Sequence, residues 1–141
     1  MKRIRIVLAG LLAAISFNVA HAGGTTVYDQ LGGKPGATKI IDDFVGNVLG
    51  DSRINGFFAN ANIPHLKMEL VQQVCSVTDG GCPYTGKDMV DAHKGMKIKD
   101  ADFNALVEDL MKSMQSNNVP IGAQNKLLAA LAPMKRDVDN K

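Results

Sequence analysis

Tryptophan is absent from this 141-residue chain, and aromatic residues make up only 5% of it. A hydrophobic core must therefore be built from Leu, Ile, Val, Met and Ala. Histidine is also scarce, with only His21, His65 and His93. There are two cysteines, Cys75 and Cys82, and neither belongs to a Cys-x-x-Cys-His stretch. That absence disfavours a c-type cytochrome, and two nearby thiols are too few for a metal site of their own. No alternation of apolar and polar residues marks a strand. Internal repeats, low-complexity tracts and interdomain linkers are missing too, so the chain reads as one all-α domain.

The first 22 residues read as an export signal. Lys2, Arg3 and Arg5 form a basic start, Ile6 to Val19 an apolar stretch, and Ala20-His21-Ala22 a small-x-small cleavage site. The apolar stretch is short for a membrane span of roughly 20 residues. Cleavage after Ala22 would leave a domain over 23–141, long enough for a single core. It would also remove three of the sixteen basic residues, leaving thirteen against fourteen acidic ones. The basicity of the whole chain thus belongs to the signal, and no clustered positive face for nucleic acid remains. The expected location is periplasmic or secreted, with no membrane association after cleavage. In such a compartment Cys75 and Cys82, separated by a short Gly-containing spacer, are expected to form a disulfide.

Helical periodicity runs through the rest. Ala37, Ile40, Ile41, Phe44, Val45, Val48 and Leu49 follow the helical spacing of a buried face, and Gly50 supplies a stop. Asn62 can cap a helix beginning near Pro64, with Leu66, Leu70, Val74 and Val77 along one stripe and Val71 and Cys75 beside it. Thr78 to Gly86 carries three glycines and Pro83, and reads as a loop. A short helix over Lys87 to Lys94 should end at Gly95. Asp100 can cap the next, in which Phe103, Leu106, Val107, Leu110, Met111 and Met114 are spaced for burial. Asn117-Asn118 and Val119-Pro120 break it. The last helix shows Leu127, Leu128, Leu131 and Met134, with Pro133 placed to bend or end it.

His93 is the residue that points to chemistry. Met89 and Val90 lie four and three residues before it, so all three project from one helical face. A neutral imidazole among apolar contacts is a suitable axial ligand for haem iron, because haem is a large apolar disc that needs one basic nitrogen. A merely structural histidine at a helix end accounts for the same residues. Core packing alone likewise explains Met89.

Six segments, in order, resemble a group I truncated haemoglobin. They are Tyr28-Asp-Gln-Leu-Gly32-Gly33, Asp43-Phe44, Phe57-Phe58, Gly80-Gly81, the stretch Tyr84-Thr-Gly86-Lys-Asp-Met89-Val-Asp-Ala-His93-Lys-Gly95, and Leu131-Ala-Pro133. The resemblance runs from about Tyr28 to Val138. It implies a two-over-two helical sandwich around haem b, with His93 as proximal iron ligand and Met89 packed beneath its ring or against the porphyrin. Phe44 and Phe58 match positions that present flat aromatic faces to the haem, although Phe57 can compete with Phe58 for the inward place. Lys67 is within reach of a haem propionate.

On the distal side the sequence departs from the family. Where many members carry Tyr, then two Gln, this chain has Val45, Leu66 and Leu70, none of which can donate a hydrogen bond. His65 is the one imidazole able to swing inward as donor or second ligand, against the plainer reading of a solvent-facing residue. The resemblance implies reversible binding of a diatomic gas (oxygen, nitric oxide or carbon monoxide) by a monomer acting as carrier, scavenger or sensor. The alternative on the same scaffold is an enzyme such as a nitric oxide dioxygenase or peroxidase, which needs a reductant of unknown identity. A helical binding module without cofactor is the reading outside this family.

Overall fold

A computed structural model describes residues 24–139. The expected export signal lies outside the described residues. Among those residues there is no strand, and no helix is long and apolar enough to cross a membrane. In chain order come α1 (Val27–Gln30), α2 (Gly33–Gly50), a 3-10 turn (Asn55–Phe58), α3 (Ile63–Val77) and α4 (Met89–His93). They are followed by α5 (Asp100–Ser116), α6 (Ile121–Leu131), a second 3-10 turn (Ala132–Met134) and α7 (Lys135–Val138).

α2 is the central element, packed against both α3 and α5. Its buried residues are Ala37, Ile40, Ile41, Phe44, Val45 and Val48, the stripe that the apolar spacing predicts. Facing them are Val74 from α3, Ala105, Leu110 and Met114 from α5, and Ala123 and Leu127 from α6. Polar groups are paired where these helices meet. Ser113 donates its hydroxyl to the Ile40 carbonyl, and Asn117 Nδ2 donates to Asp43 Oδ2 at 2.8 Å. A buried donor left alone would cost about 1–3 kcal/mol, so these pairs fix how α5 sits on α2.

Two glycines are required by close approach. A Cβ on Gly36 would lie 2.0 Å from the Leu31 carbonyl oxygen, which lets α2 start directly against α1. A Cβ on Gly80 would lie 2.5 Å from Cys75 Sγ and 2.7 Å from the Tyr28 ring. The loop after α3 is thereby pressed onto its end. Tyr28 N–H donates to the Thr78 carbonyl at 3.0 Å, and Cys75, 1% exposed, is bonded to Cys82. The expected disulfide is present.

Some helix boundaries and burials differ from the sequence reading. The short helix starts at Met89, because Asp88 caps it by accepting from Asp91 N–H at 2.8 Å, while Tyr84 holds the Lys87 carbonyl in the preceding loop. Asp100 is the first residue of α5 and not its cap. The capping carboxylate is Asp102, which accepts from Lys99 N–H at 2.9 Å. Leu49 and Met111, expected in the core, are 42% and 36% exposed. Each follows a buried residue, Val48 or Leu110, and so points about 100° away from it. Pro133 does change the helix, which tightens to 3-10 over Ala132–Met134.

Candidate functional site

The site is built where α3, the loop after it, α4 and the C-terminal turn converge. α3 is started by Asn62, whose Oδ1 accepts from His65 N–H at 3.2 Å, and by Pro64 in its first turn. From there Leu66, Leu70, Gln73 and Val77 share one face, and all four are half-buried. A cavity of about 230 Å³ lies at the far end of that face, lined by Gln73, Ser76, Val77, Tyr84, Asp88, Met89 and Met134.

α4 positions His93. The Asp88 cap begins the helix, and His93 is its last residue, half-buried and followed by Gly95 at φ 79°. His93 Nδ1 is 2.8 Å from the carbonyl oxygen of Met89, one turn earlier. A carbonyl only accepts, so Nδ1 carries the hydrogen and Nε2 is left with the ring's lone pair. A metal-ligating imidazole needs this arrangement, with one nitrogen tied to the backbone and the other basic and free.

The remaining expected site residues fall into three groups. Phe44 and Val45 are fully buried in α2, 6% and 3% exposed. Phe58 and Leu70 pack against that core, while Phe57 is 36% exposed, so Phe58 is the inward member of the aromatic pair. Lys67 is on the flank of α3, its Nζ 2.9 Å from Asp42 Oδ1. His65 is exposed on the outer face, its Nε2 3.1 Å from Glu69 Oε1. The structure thus puts Met89 at the hollow, Leu66 and Leu70 further along the same face of α3, and His65 in an exposed pair with Glu69.

Gln73 is the residue that the sequence reading passed over. It lies seven residues after Leu66, on the same stripe, and that spacing was the available signal. Its Nε2 is 3.5 Å from both Met89 Sδ and Met134 Sδ. The adjacent Gln72 does something else: its Oε1 accepts from Thr85 N–H and Thr85 Oγ1, clamping the loop to α3. Tyr84 completes the wall. Its hydroxyl donates to the Lys87 carbonyl at 2.8 Å, and burial, with the carboxylates of Glu69 and Asp88, pushes the phenol's pKa up.

Apolar faces that are half-buried around one basic imidazole fit a flat apolar cofactor with a single metal to be ligated. Together the helices and this hollow define a two-over-two globin. The profile of bacterial-like globins matches residues 26–140. A group 1 truncated haemoglobin of Tetrahymena thermophila is 31% identical over 67% of this chain and 78% of its own length. One from Mycolicibacterium paratuberculosis is 28% identical over 80% of this chain and 83% of its own. Among solved structures, the truncated haemoglobin of Tetrahymena pyriformis in its Fe(III) form superposes with a TM-score of 0.79 at 28% identity, over 82% of this chain and 99% of that one. A Synechococcus 2/2 haemoglobin with covalently attached haem gives 0.76 at 25% identity, over 80% and 97%. This chain belongs to the bacterial-like globin family, whose cofactor is haem b.

Proposed function

We propose that this chain holds haem b through His93 and binds a diatomic gas reversibly outside the cytoplasm, as a carrier, scavenger or sensor. The observation that carries the reading is the 2.8 Å contact from His93 Nδ1 to the Met89 carbonyl. It leaves Nε2 basic, on a half-buried ring at the end of a helix whose first residue lines an apolar cavity. Haem, when bound, supplies an iron with one position open to a small uncharged ligand.

The chain's own residues hold and shield that group. Phe58, Leu66, Leu70 and Met89 offer apolar surface, while Phe44 and Val45 close the floor from α2. Lys67, at the rim beside Asp42, can meet a propionate. Export is supported by the basic–apolar–small start of the sequence and by the Cys75–Cys82 bond, which suits an oxidising compartment. A reductant of unspecified kind would return oxidised iron to the ferrous state.

The deciding experiment is the absorption spectrum of the purified full chain, ferric and ferrous, before and after carbon monoxide. A Soret band that shifts with carbon monoxide is expected. A colourless protein that takes up no added haemin would sink the proposal.

A further inference from the structure

Cys75 and Cys82 belong to two elements that the candidate site depends on. Cys75 is part of α3, whose Gln73, Ser76 and Val77 line one wall of the cavity of about 230 Å³. Cys82 is in the loop from α3 to α4, and Tyr84 and Asp88, further along that loop, line the same cavity beside Met89. Asp88 is also the cap of α4, which ends at His93. The disulfide therefore ties α3 to the segment that sets where α4 begins.

The other ties of that segment are weaker. α4 has five residues, too few to be stable alone, and its main packing is against α7. Thr85 is held to Gln72 by exposed hydrogen bonds, for which water competes. Tyr84 bonds within the loop, to the Lys87 carbonyl. The two sulfurs are also unequal. Cys75 is 1% exposed beneath Gly80, where a Cβ would lie 2.5 Å from its Sγ, while Cys82 is half-buried. Two thiols cannot stay at bonding distance, and Cys75 has no room to withdraw. Opening the bond must move Cys82 and its loop outward.

We propose that the Cys75–Cys82 bond is a redox switch on haem retention, closed when haem is held and opened by a dithiol reductant. A thiolate of the dithiol attacks the more accessible Cys82 sulfur, the S–S bond breaks, and Cys75 leaves as a thiolate that takes up a proton. The second thiolate of the reductant then displaces Cys82 in the same way, so two electrons pass to the protein and the dithiol becomes a disulfide. The freed loop lets the α4 cap shift, and the His93 ring shifts with it. The proposal rests on the haem reading of His93 and adds a control to it.

The test uses the haem-loaded full chain, oxidised or treated with dithiothreitol and desalted without oxygen, with free thiols counted in each sample. Haem transfer from the ferric protein to excess apomyoglobin should be about tenfold faster after reduction, a large part of what closing so small a loop is worth. The ferrous iron–histidine stretch should shift in the same sample. Cys82→Ser should show the fast transfer with or without dithiothreitol. If that variant folds poorly, wild type reoxidised after reduction serves instead and should recover the slow rate. A wild type with two free thiols but an unchanged transfer rate and an unmoved band overturns this inference alone. So does a bond that dithiothreitol leaves closed in the folded protein, or a Cys82→Ser variant that still responds to the reagent. A wild type that takes up no haem overturns the His93 reading and this one with it.

Discussion

His93 Nδ1 sits 2.8 Å from the carbonyl oxygen of Met89. The contact spans a single turn of a five-residue helix, so the imidazole is oriented by the backbone of the element that carries it. A helix this short has little stability of its own. α4 is held by the Asp88 cap and by packing against α7, and through them the ring is held too.

The first prediction concerns that ring. His93→Ala is expected to abolish the iron–histidine stretch in resonance Raman spectra of the ferrous haem-loaded protein and to weaken haem retention. His65→Ala should leave the band in place, since His65 is exposed and paired with Glu69. A band that persists in His93→Ala would move the assignment elsewhere.

Val45→Tyr should slow oxygen release, by giving the pocket a hydroxyl on α2. A hydrogen bond to a partly charged acceptor is worth about 1.5–3 kcal/mol, which corresponds to roughly 10- to 100-fold in off-rate. The structure adds a cost to that substitution. Val45 is 3% exposed, and enlarging a packed residue typically costs about 1–3 kcal/mol. Stopped-flow dissociation should therefore show slower release in a protein of lower melting temperature. An unchanged off-rate would mean that the new hydroxyl does not reach the ligand.

The disulfide closes a small loop onto α3 and tethers the segment that leads to α4. Replacing both Cys75 and Cys82 by Ser should lower stability by about 2 kcal/mol on the chain-entropy argument, read from urea unfolding of wild type against the double variant. Intact mass of the exported product should begin at Gly23 and be lighter by the two thiol hydrogens. Thiols that alkylate without prior reduction would contradict this.

Acid should remove a specific contribution from the end of α2. Arg53 donates to Asp51 through its side chain and its backbone N–H, holding the carboxyl at about 2 against an ordinary 3.8. A depressed folded-state pKa stabilises at pH values above the unfolded one and is lost as pH falls through the folded one. Asp51→Asn should thus be less stable than wild type at neutral pH, with the gap narrowing from about pH 4 down to about pH 2. Melting temperatures across that range would check it, and a gap that stays constant with pH would rule out the ion pair as its source.

By itself, the sequence determined the order of helices, the buried stripe of α2, the change of helix at Pro133 and the place of His93 at the end of a short helix. These follow from spacing, capping and turn chemistry, all of which act over a few residues. Leu49 and Met111 show the limit of that reasoning: both fit the apolar period, yet each lies at the edge of its stripe, where packing by other helices decides burial. The choice between Phe57 and Phe58, the pairing of Lys67 with Asp42 and of His65 with Glu69, and the turning of Gln73 toward two methionines were decided by tertiary structure alone. Met89 and Met134 are 45 residues apart in the chain, and no local pattern announces that both sulfurs meet one amide. Their meeting depends on how α4 and the C-terminal turn close over α3, a property of the packed molecule.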